Sequence, residues 1–209
     1  MTTRRILMMT MLAGLAFGAT ASREAGAAEN DLIKTLRAGG NVILVRHGAT
    51  FTNQADTDPS NLDNVSAQRK LNDKGMALAK SFGDALRAAH IPVGDVYTSK
   101  FNRAYETAVL AGFKNIETSV DITEGGLVVT TDENNRRAAV LRKMLGTAPD
   151  ASSNTILITH RPNILDALGK DWFDIKEGEA SIFQPEGGVY RLVARVQMDN
   201  WPRLAATVN

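Results

Sequence analysis

Three short stretches of the chain carry side chains that could bind and transfer a phosphoryl group. Arg46 and His47 stand together before a glycine, and Arg103 and His160 follow further along the chain. A neutral, accessible imidazole can attack phosphorus and form a covalent phosphohistidine, which divides one difficult step into two. Guanidinium groups can grip phosphate oxygens through a bidentate fork. These residue types point to phosphoryl transfer, provided that the fold brings them together.

The two histidines follow segments whose composition predicts buried strands. Residues 41–45 are apolar and rich in β-branched side chains, and they precede Arg46; residues 154–159 have the same character and precede His160. In an open α/β sheet, ligands bind at the carboxyl ends of the strands. Both histidines can therefore point into one crevice.

Strand and helix patterns alternate over most of the chain. This alternation predicts an α/β fold, a three-layer α/β/α sandwich with a mostly parallel central sheet and antiparallel strands late in the sequence. The predicted helices cover residues 31–37, 71–89, 99–112, 134–145 and 163–168. The predicted strands cover residues 41–45, 95–98, 115–122, 154–159, 180–184 and 188–198.

Two connections in the predicted fold stand out. Residues 51–70 are polar and without a period, which predicts a long loop, and loops of this length in compact domains are often functional. Pro185, Glu186 and Gly187 separate the last two strands and are predicted to form the turn of a hairpin.

The composition limits the classes of function. The chain has 209 residues, 44% of them hydrophobic, which suits one globular domain. Its 24 basic and 23 acidic residues nearly balance, so we expect neither a nucleic-acid partner nor a polybasic membrane contact. There is no cysteine and there are three histidines, so thiol chemistry is excluded and a multi-histidine metal site is not expected. No cofactor is predicted.

The N-terminal residues have the pattern of a secretory signal. Arg4 and Arg5 precede an apolar stretch, residues 6–19, and small-residue cleavage patterns follow. This stretch is shorter than the roughly 20 residues of a membrane-spanning helix. We therefore predict a signal peptide over residues 1–28 and a catalytic domain over residues 29–209. The predicted location is periplasmic or secreted, with no stable membrane insertion after cleavage; an uncleaved anchor is the alternative.

Four stretches resemble, in the right order, motifs of the histidine phosphatase superfamily, in its phosphoglycerate mutase-like branch with small domains. Residues 45–53, VRHGATFTN, are similar to its RHGxTxxN signature, and residues 71–75 are similar to its LTxxG. Residues 97–108 are similar to SSxxxRAxQTA, and residues 156–164 resemble the strand that bears the second histidine. RHG alone is weak evidence, whereas the ordered set is specific.

The resemblance implies roles for individual residues. It makes His47 the nucleophile in a metal-independent reaction. The other residues that it assigns to the phosphate pocket are Arg46, Arg103, His160, Thr50 and Asn53.

The resemblance also implies a proton donor for the leaving group. The family's acid follows the third strand, and Glu124 stands at that place. From the sequence alone, Glu124 could also be an acid on a surface turn.

Two cations depart from the family pattern. Lys100 stands early in the arginine motif, and Arg161 follows the second histidine where a glycine is common. We expect them to bind an anionic part of a substrate beyond its phosphate.

The sequence therefore predicts an exported phosphatase that hydrolyses small-molecule phosphomonoesters through a phosphohistidine intermediate. Two alternatives stay open at this stage. One is a phosphomutase, and the other is a non-catalytic module that binds a phosphorylated ligand and has lost its acid.

Overall fold

A computed structural model describes residues 28–125 and 128–207. Its sheet has six strands: β1 (Val42–Arg46), β2 (Val93–Ser99), β3 (Ile116–Ser119), β4 (Asn154–Thr159), β5 (Ala180–Glu186) and β6 (Val189–Val196). The strand order is β3-β2-β4-β1-β5-β6. The first four strands in chain order pair in parallel, and β5 pairs antiparallel with both β1 and β6. The predicted fold class is confirmed.

Helices cover both faces of the sheet. They are α1 (residues 28–38), α2 (Asp73–Ala88), α3 (Asn102–Leu110), α4 (Thr131–Leu145), α5 (Arg161–Leu168) and α6 (Trp201–Ala206). Among the described residues, no helix has the length and apolar content to cross a bilayer. The predicted signal lies outside the described residues apart from residue 28, so it stays a prediction.

The alternation of side chains along β1 divides the core into two layers. Ile43 and Val45 pack in a cluster with α1, α2, α3 and α6, whereas Val42 and Leu44 pack with α4 and α5 on the opposite face. Both faces are covered, so β1 and β4 are buried over nearly their whole length, as parallel central strands are. These two strands are neighbours, so their carboxyl ends lie together.

The long loop is confirmed as a loop and is closed at its base. Thr50 and Leu71 form an isolated antiparallel bridge, and Val65–Ala67 forms one short 3₁₀ turn. The buried side chain of Gln68 fastens the loop to α3, because its Oε1 accepts a hydrogen bond of 2.7 Å from the backbone N–H of Asn102. The loop therefore packs beside the carboxyl end of the sheet.

Most predicted elements are present with bounds shifted by one to three residues, and the third strand and the hairpin turn differ for reasons that the structure shows. The third strand ends at Ser119, whose hydroxyl accepts the N–H of Asp121 and starts a 3₁₀ turn over Val120–Ile122. The hairpin turn is formed by Gly187 and Gly188, which have φ angles of +64° and +92°. Pro185 stays in β5, at a position beyond the end of β1, where no strand requires its missing N–H.

The C-terminal helix α6 is absent from the prediction, which continued the last strand to residue 198. The buried ring of Trp201 packs edge-on against Phe82 of α2, with 5.2 Å between ring centroids. A six-residue helix with Pro202 in its first turn is too short to show a helical period.

Candidate active site

The carboxyl ends of β1 and β4 bring the two predicted histidines together. The backbone N–H of His47 donates to Thr159 O at 3.1 Å, which ties the residue after β1 to the end of β4. The rings of His47 and His160 lie 5.1 Å apart between centroids, and both side chains are buried. The sheet thus brings the two histidines together, as the strand pattern predicts.

One hydrogen bond determines which nitrogen of His47 can act as a nucleophile. Nδ1 lies 2.8 Å from the carbonyl oxygen of Gly48. A carbonyl can only accept, so Nδ1 carries the proton and the lone pair is on Nε2.

The surroundings of His47 favour its neutral form. Burial, and then the positive charge of Arg103, hold the pKa of His47 well below its usual value of 6.5. Burial and Arg103 likewise lower the pKa of His160. Both imidazoles are therefore uncharged near neutral pH.

Arg103 lies at the centre of the site with no exposed surface. Its Nη1 donates to Asp56 of the long loop at 2.9 Å, and its Nη2 donates to Glu124. The ring of Phe101 packs 4.3 Å below the guanidinium carbon. Two carboxylates and one aromatic ring thus fix the plane of this guanidinium.

Glu124 lies inside the site. Besides Arg103, its carboxylate approaches His160, with 3.8 Å between Oε2 and Nδ1. The other ring nitrogen of His160 contacts the Ser99 hydroxyl at 2.7 Å, so Nδ1 is the nitrogen directed toward Glu124. The alternative that Glu124 lies on a surface turn is therefore wrong, because its carboxylate contacts Arg103 and approaches His160.

Arg46 is held by a segment that the sequence did not indicate. Its Nη1 donates to Ile175 O at 2.7 Å, and its Nη2 lies 3.7 Å from Glu177, whose carboxylate also accepts from Thr50. We call residues 175–179 the strap. Thr50, predicted to line the pocket, is buried here.

The strap also forms hydrogen bonds with the backbone of Arg46 and His47, at the end of β1. The Gly178 N–H donates to the carbonyls of Arg46 and His47 at 3.0 and 2.9 Å. Glu179 anchors the strap, because its buried carboxylate accepts from Arg195, Gln197 and the strap's own backbone. Sequence reasoning missed this segment, since a glycine and two glutamates between predicted elements look like any exposed turn.

Helices α2 and α3 hold the turn after His47 from the other side. Asn72 caps α2 by accepting from Gly75 N and also donates to Thr50 O, both at 2.9 Å. Gly75 packs so closely that a Cβ there would lie 2.1 Å from Ala49 O. The Gly48 N–H donates to Thr107 of α3 at 3.1 Å.

A third arginine belongs to the site and was not predicted. Arg69 donates from Nη1 to Thr50 Oγ1 at 3.0 Å, and its charge contributes to the low pKa values of His47 and His160. It stands at the end of the polar loop, and only the folding of that loop brings it to the site.

The remaining predicted binding residues lie further out. Arg161 is half-buried, packs 4.6 Å over the ring of Phe173, donates from Nε and Nη2 to Phe173 O, and contributes its charge to the environment of Arg46. Asn53 and the side chain of Lys100 are exposed on the surface. The binding roles predicted for these three residues stay predictions. Within residues 28–125 and 128–207, no group of three His, Asp or Glu side chains could hold a metal ion.

Comparison with known proteins agrees with this geometry. The family model described as histidine phosphatase superfamily (branch 1) matches residues 42–126. A search of curated proteins found no significant match.

Solved structures share the fold at low sequence identity. The protein histidine phosphatase SixA complexed with tungstate has a TM-score of 0.55 and 18% identity, covering 77% of this chain and 98% of that one. A phosphoserine phosphatase mutant from Entamoeba histolytica in complex with phosphoserine has a TM-score of 0.53 and 15% identity, covering 76% and 97%. Bacillus stearothermophilus YhfR has a TM-score of 0.52 and 15% identity, covering 73% and 94%.

The fold and the arginine–histidine site define a phosphoglycerate mutase-like α/β domain. The resemblance to the histidine phosphatase superfamily predicted from the sequence is confirmed over residues 42–126, which match the family model, and the solved structures share the fold.

Proposed function

We propose that this protein is an exported phosphatase that hydrolyses small-molecule phosphomonoesters through a phosphohistidine on His47. The single observation that carries the proposal is the state of His47. Its Nδ1 proton is committed to Gly48 O, and burial beside Arg103 keeps the ring neutral. Nε2 is then an uncharged nucleophile among guanidinium groups.

In the first step, Nε2 of His47 attacks phosphorus and the bond from phosphorus to the ester oxygen breaks. Arg46, Arg69 and Arg103 supply the positive charge that the phosphoryl oxygens need, so the reaction requires no metal. Glu124, in its protonated form, gives its proton to the departing alkoxide.

In the second step, water attacks the phosphohistidine. The Glu124 carboxylate accepts a proton from that water, the bond from Nε2 to phosphorus breaks, and inorganic phosphate leaves. Glu124 is then protonated again and His47 is neutral, so the cycle is closed.

The names of two proteins with the same fold support a phosphatase rather than a mutase. One is a protein histidine phosphatase and the other a phosphoserine phosphatase. The sequence pattern of residues 1–28 supports export to the periplasm or medium.

The test is phosphate release by the purified protein from p-nitrophenyl phosphate and a panel of sugar phosphates, with and without EDTA. Release that survives EDTA and disappears in His47→Ala is the expected result. Phosphate binding without turnover would favour the binding module instead. Transfer of the phosphoryl group to a second alcohol, without release, would favour the mutase.

The environment of Arg161 refines the predicted role of that residue. Its guanidinium lies over Phe173, so it could meet an anionic group of a substrate beyond the phosphate. If so, Arg161→Ala raises KM for the true substrate more than for p-nitrophenyl phosphate, and equal increases would remove this role. Lys100→Ala is tested in the same way.

A further inference from the structure

Both terminal nitrogens of the Arg103 guanidinium are already occupied by carboxylates. Nη1 donates to the two oxygens of Asp56, at 2.9 and 3.2 Å, and Nη2 donates to Glu124. The Arg103 side chain is fully buried, so no terminal N–H faces open solvent. Nε of Arg103 is buried without a hydrogen-bond partner, whereas a phosphate that binds through Nη1 must take the place of Asp56.

The two carboxylates are held in different ways. Glu124 follows Thr123, whose carbonyl accepts from Arg137 at 2.9 Å and from Asn163 at 3.2 Å. This places Glu124 on a turn fastened to α4 and α5, beside His160.

Asp56 reaches Arg103 from the long loop, residues 51–70. Apart from Arg103, its carboxylate accepts one further hydrogen bond, from the backbone N–H of Arg69 at 2.9 Å. It is also partly exposed to solvent. Asp56 is thus the partner that can leave Nη1 without disturbing the sheet.

The charges of the site favour the withdrawal of one carboxylate when phosphate binds. Three arginines line it, namely Arg46, Arg69 and Arg103. Three carboxylates lie beside these arginines. Asp56 and Glu124 contact Arg103, and Glu177 lies near Arg46. Because each carboxylate offsets part of the positive charge of the arginines, a phosphate dianion meets a larger net positive charge once Asp56 withdraws.

We propose that Asp56 is a positioning residue that occupies Nη1 of Arg103 in the free protein and yields it to phosphate. Its carboxylate keeps the buried guanidinium oriented, competes with the bound phosphoryl group, and takes Nη1 back as inorganic phosphate leaves. The inference rests on the proposed function, because it assigns Arg103 to the phosphate.

The test compares Asp56→Asn with Asp58→Asn. Asp58 is an acid of the same loop whose carboxylate accepts hydrogen bonds from the loop residues Ser60 and Asn64. Calorimetry measures the dissociation constant of each variant for inorganic phosphate and for tungstate. We expect D56N to lower the phosphate dissociation constant about tenfold, the scale of one charge-assisted hydrogen bond. D58N should stay within about twofold of the wild type on the same scale.

The sign of the change decides the outcome. A purely structural role for Asp56 would weaken phosphate binding when the carboxylate is removed, and that result, or no change, overturns the inference. An equal gain in D58N would also overturn it, since the loop's overall charge would then be the cause.

Turnover measurements distinguish a positioning role of Asp56 from a role as proton donor. If D56N loses alkyl phosphate hydrolysis, keeps p-nitrophenyl phosphate hydrolysis and binds phosphate as the wild type does, Asp56 is an acid and the inference is wrong. The binding measurement needs no turnover. Absence of phosphate release by the wild type defeats the proposed function, yet tighter phosphate binding by D56N would still support the role of Asp56. If neither protein binds phosphate or tungstate, both are overturned.

Discussion

Arg103 combines complete burial with a planar, positively charged fork, so we expect that lysine cannot replace it. Its planar fork serves two acceptors at once and packs on the face of Phe101. A lysine would offer one compact ammonium with neither the fork nor the stacking plane.

We therefore expect Arg103→Lys to lower kcat/KM for phosphomonoesters at least ~100-fold, or about 2.7 kcal/mol of transition-state stabilisation. The control is Arg136→Lys, at an exposed arginine paired with Glu133 and Asp121. This control should change kcat/KM by less than about twofold. Comparable losses in the two variants would mean that Arg103 acts through general electrostatics only.

At the residue scale, the sequence predicts side chains next to strand ends and misses those brought in by loops. Arg46, His47 and His160 directly adjoin strands, so their convergence follows from the parallel sheet. Asp56, Arg69 and Glu177 lie in loop segments whose path depends on tertiary contacts. No local pattern marks them, because their types are common on any solvated loop.

Among the helices and strands, α2 positions the turn after His47 by packing directly against its backbone. Gly75 meets that turn at backbone contact distance, and a Cβ there would lie 2.1 Å from Ala49 O. Gly83, further along α2, packs as closely against the residue that follows α3, since a Cβ there would lie 1.8 Å from Ala111 O, but it lies away from the turn after His47. Substitutions at the two glycines can therefore distinguish an effect on stability from an effect on catalysis.

We expect Gly75→Ala and Gly83→Ala each to lower the free energy of unfolding by about 1–3 kcal/mol, because backbone must shift in both cases. Only Gly75→Ala should also lower kcat/KM, since only it displaces residues 48–50. Chemical denaturation and steady-state kinetics at a temperature where both variants are folded measure the two effects. Equal activity of the two folded variants would show that α2 does not position the site.

Element identity could be predicted from hydrophobic periods, whereas some bounds could not. The apolar runs of β1 and β4 gave their positions within one residue, because buried parallel strands have few other interpretations. The end of β3 depends on a Ser119 side-chain bond, and α6 depends on burying Trp201 against Phe82. Both depend on tertiary or side-chain contacts, which the hydrophobic period of the sequence does not predict.

At the scale of the whole molecule, burying two neutral histidines links stability to pH. In the unfolded chain, each takes up a proton near pH 6.5, whereas in the folded protein both pKa values lie well below that. Below about pH 6.5 the unfolded state therefore binds more protons, and the free energy of unfolding falls as the pH falls. Each histidine contributes up to about 1.4 kcal/mol per pH unit in this window and nothing above it.

We expect His160→Asn to flatten this dependence by about 1.4 kcal/mol per pH unit between the unfolded-state pKa and the lowered folded-state pKa. Urea denaturation at a series of pH values from 7 downward measures the slope. His90→Asn is the matched control, because it removes an exposed histidine whose positive φ suits asparagine. An unchanged slope in His160→Asn would contradict the buried neutral state.

Topology was predictable at this scale because alternating strands and helices leave few arrangements. The order of strands was not, since it depends on which strands meet in space: β4 returns between β1 and β2, and β5 covers the other edge of β1. That return is what places His160 beside His47.

We expect His47 to carry the phosphoryl group during turnover, and rapid quenching without acid preserves this intermediate for detection. Mass spectrometry of the peptide that contains His47 should show a transient, acid-labile phosphate at this residue, absent from His47→Ala. Phosphate on any other residue, or full turnover by His47→Ala, would show that His47 is not the nucleophile.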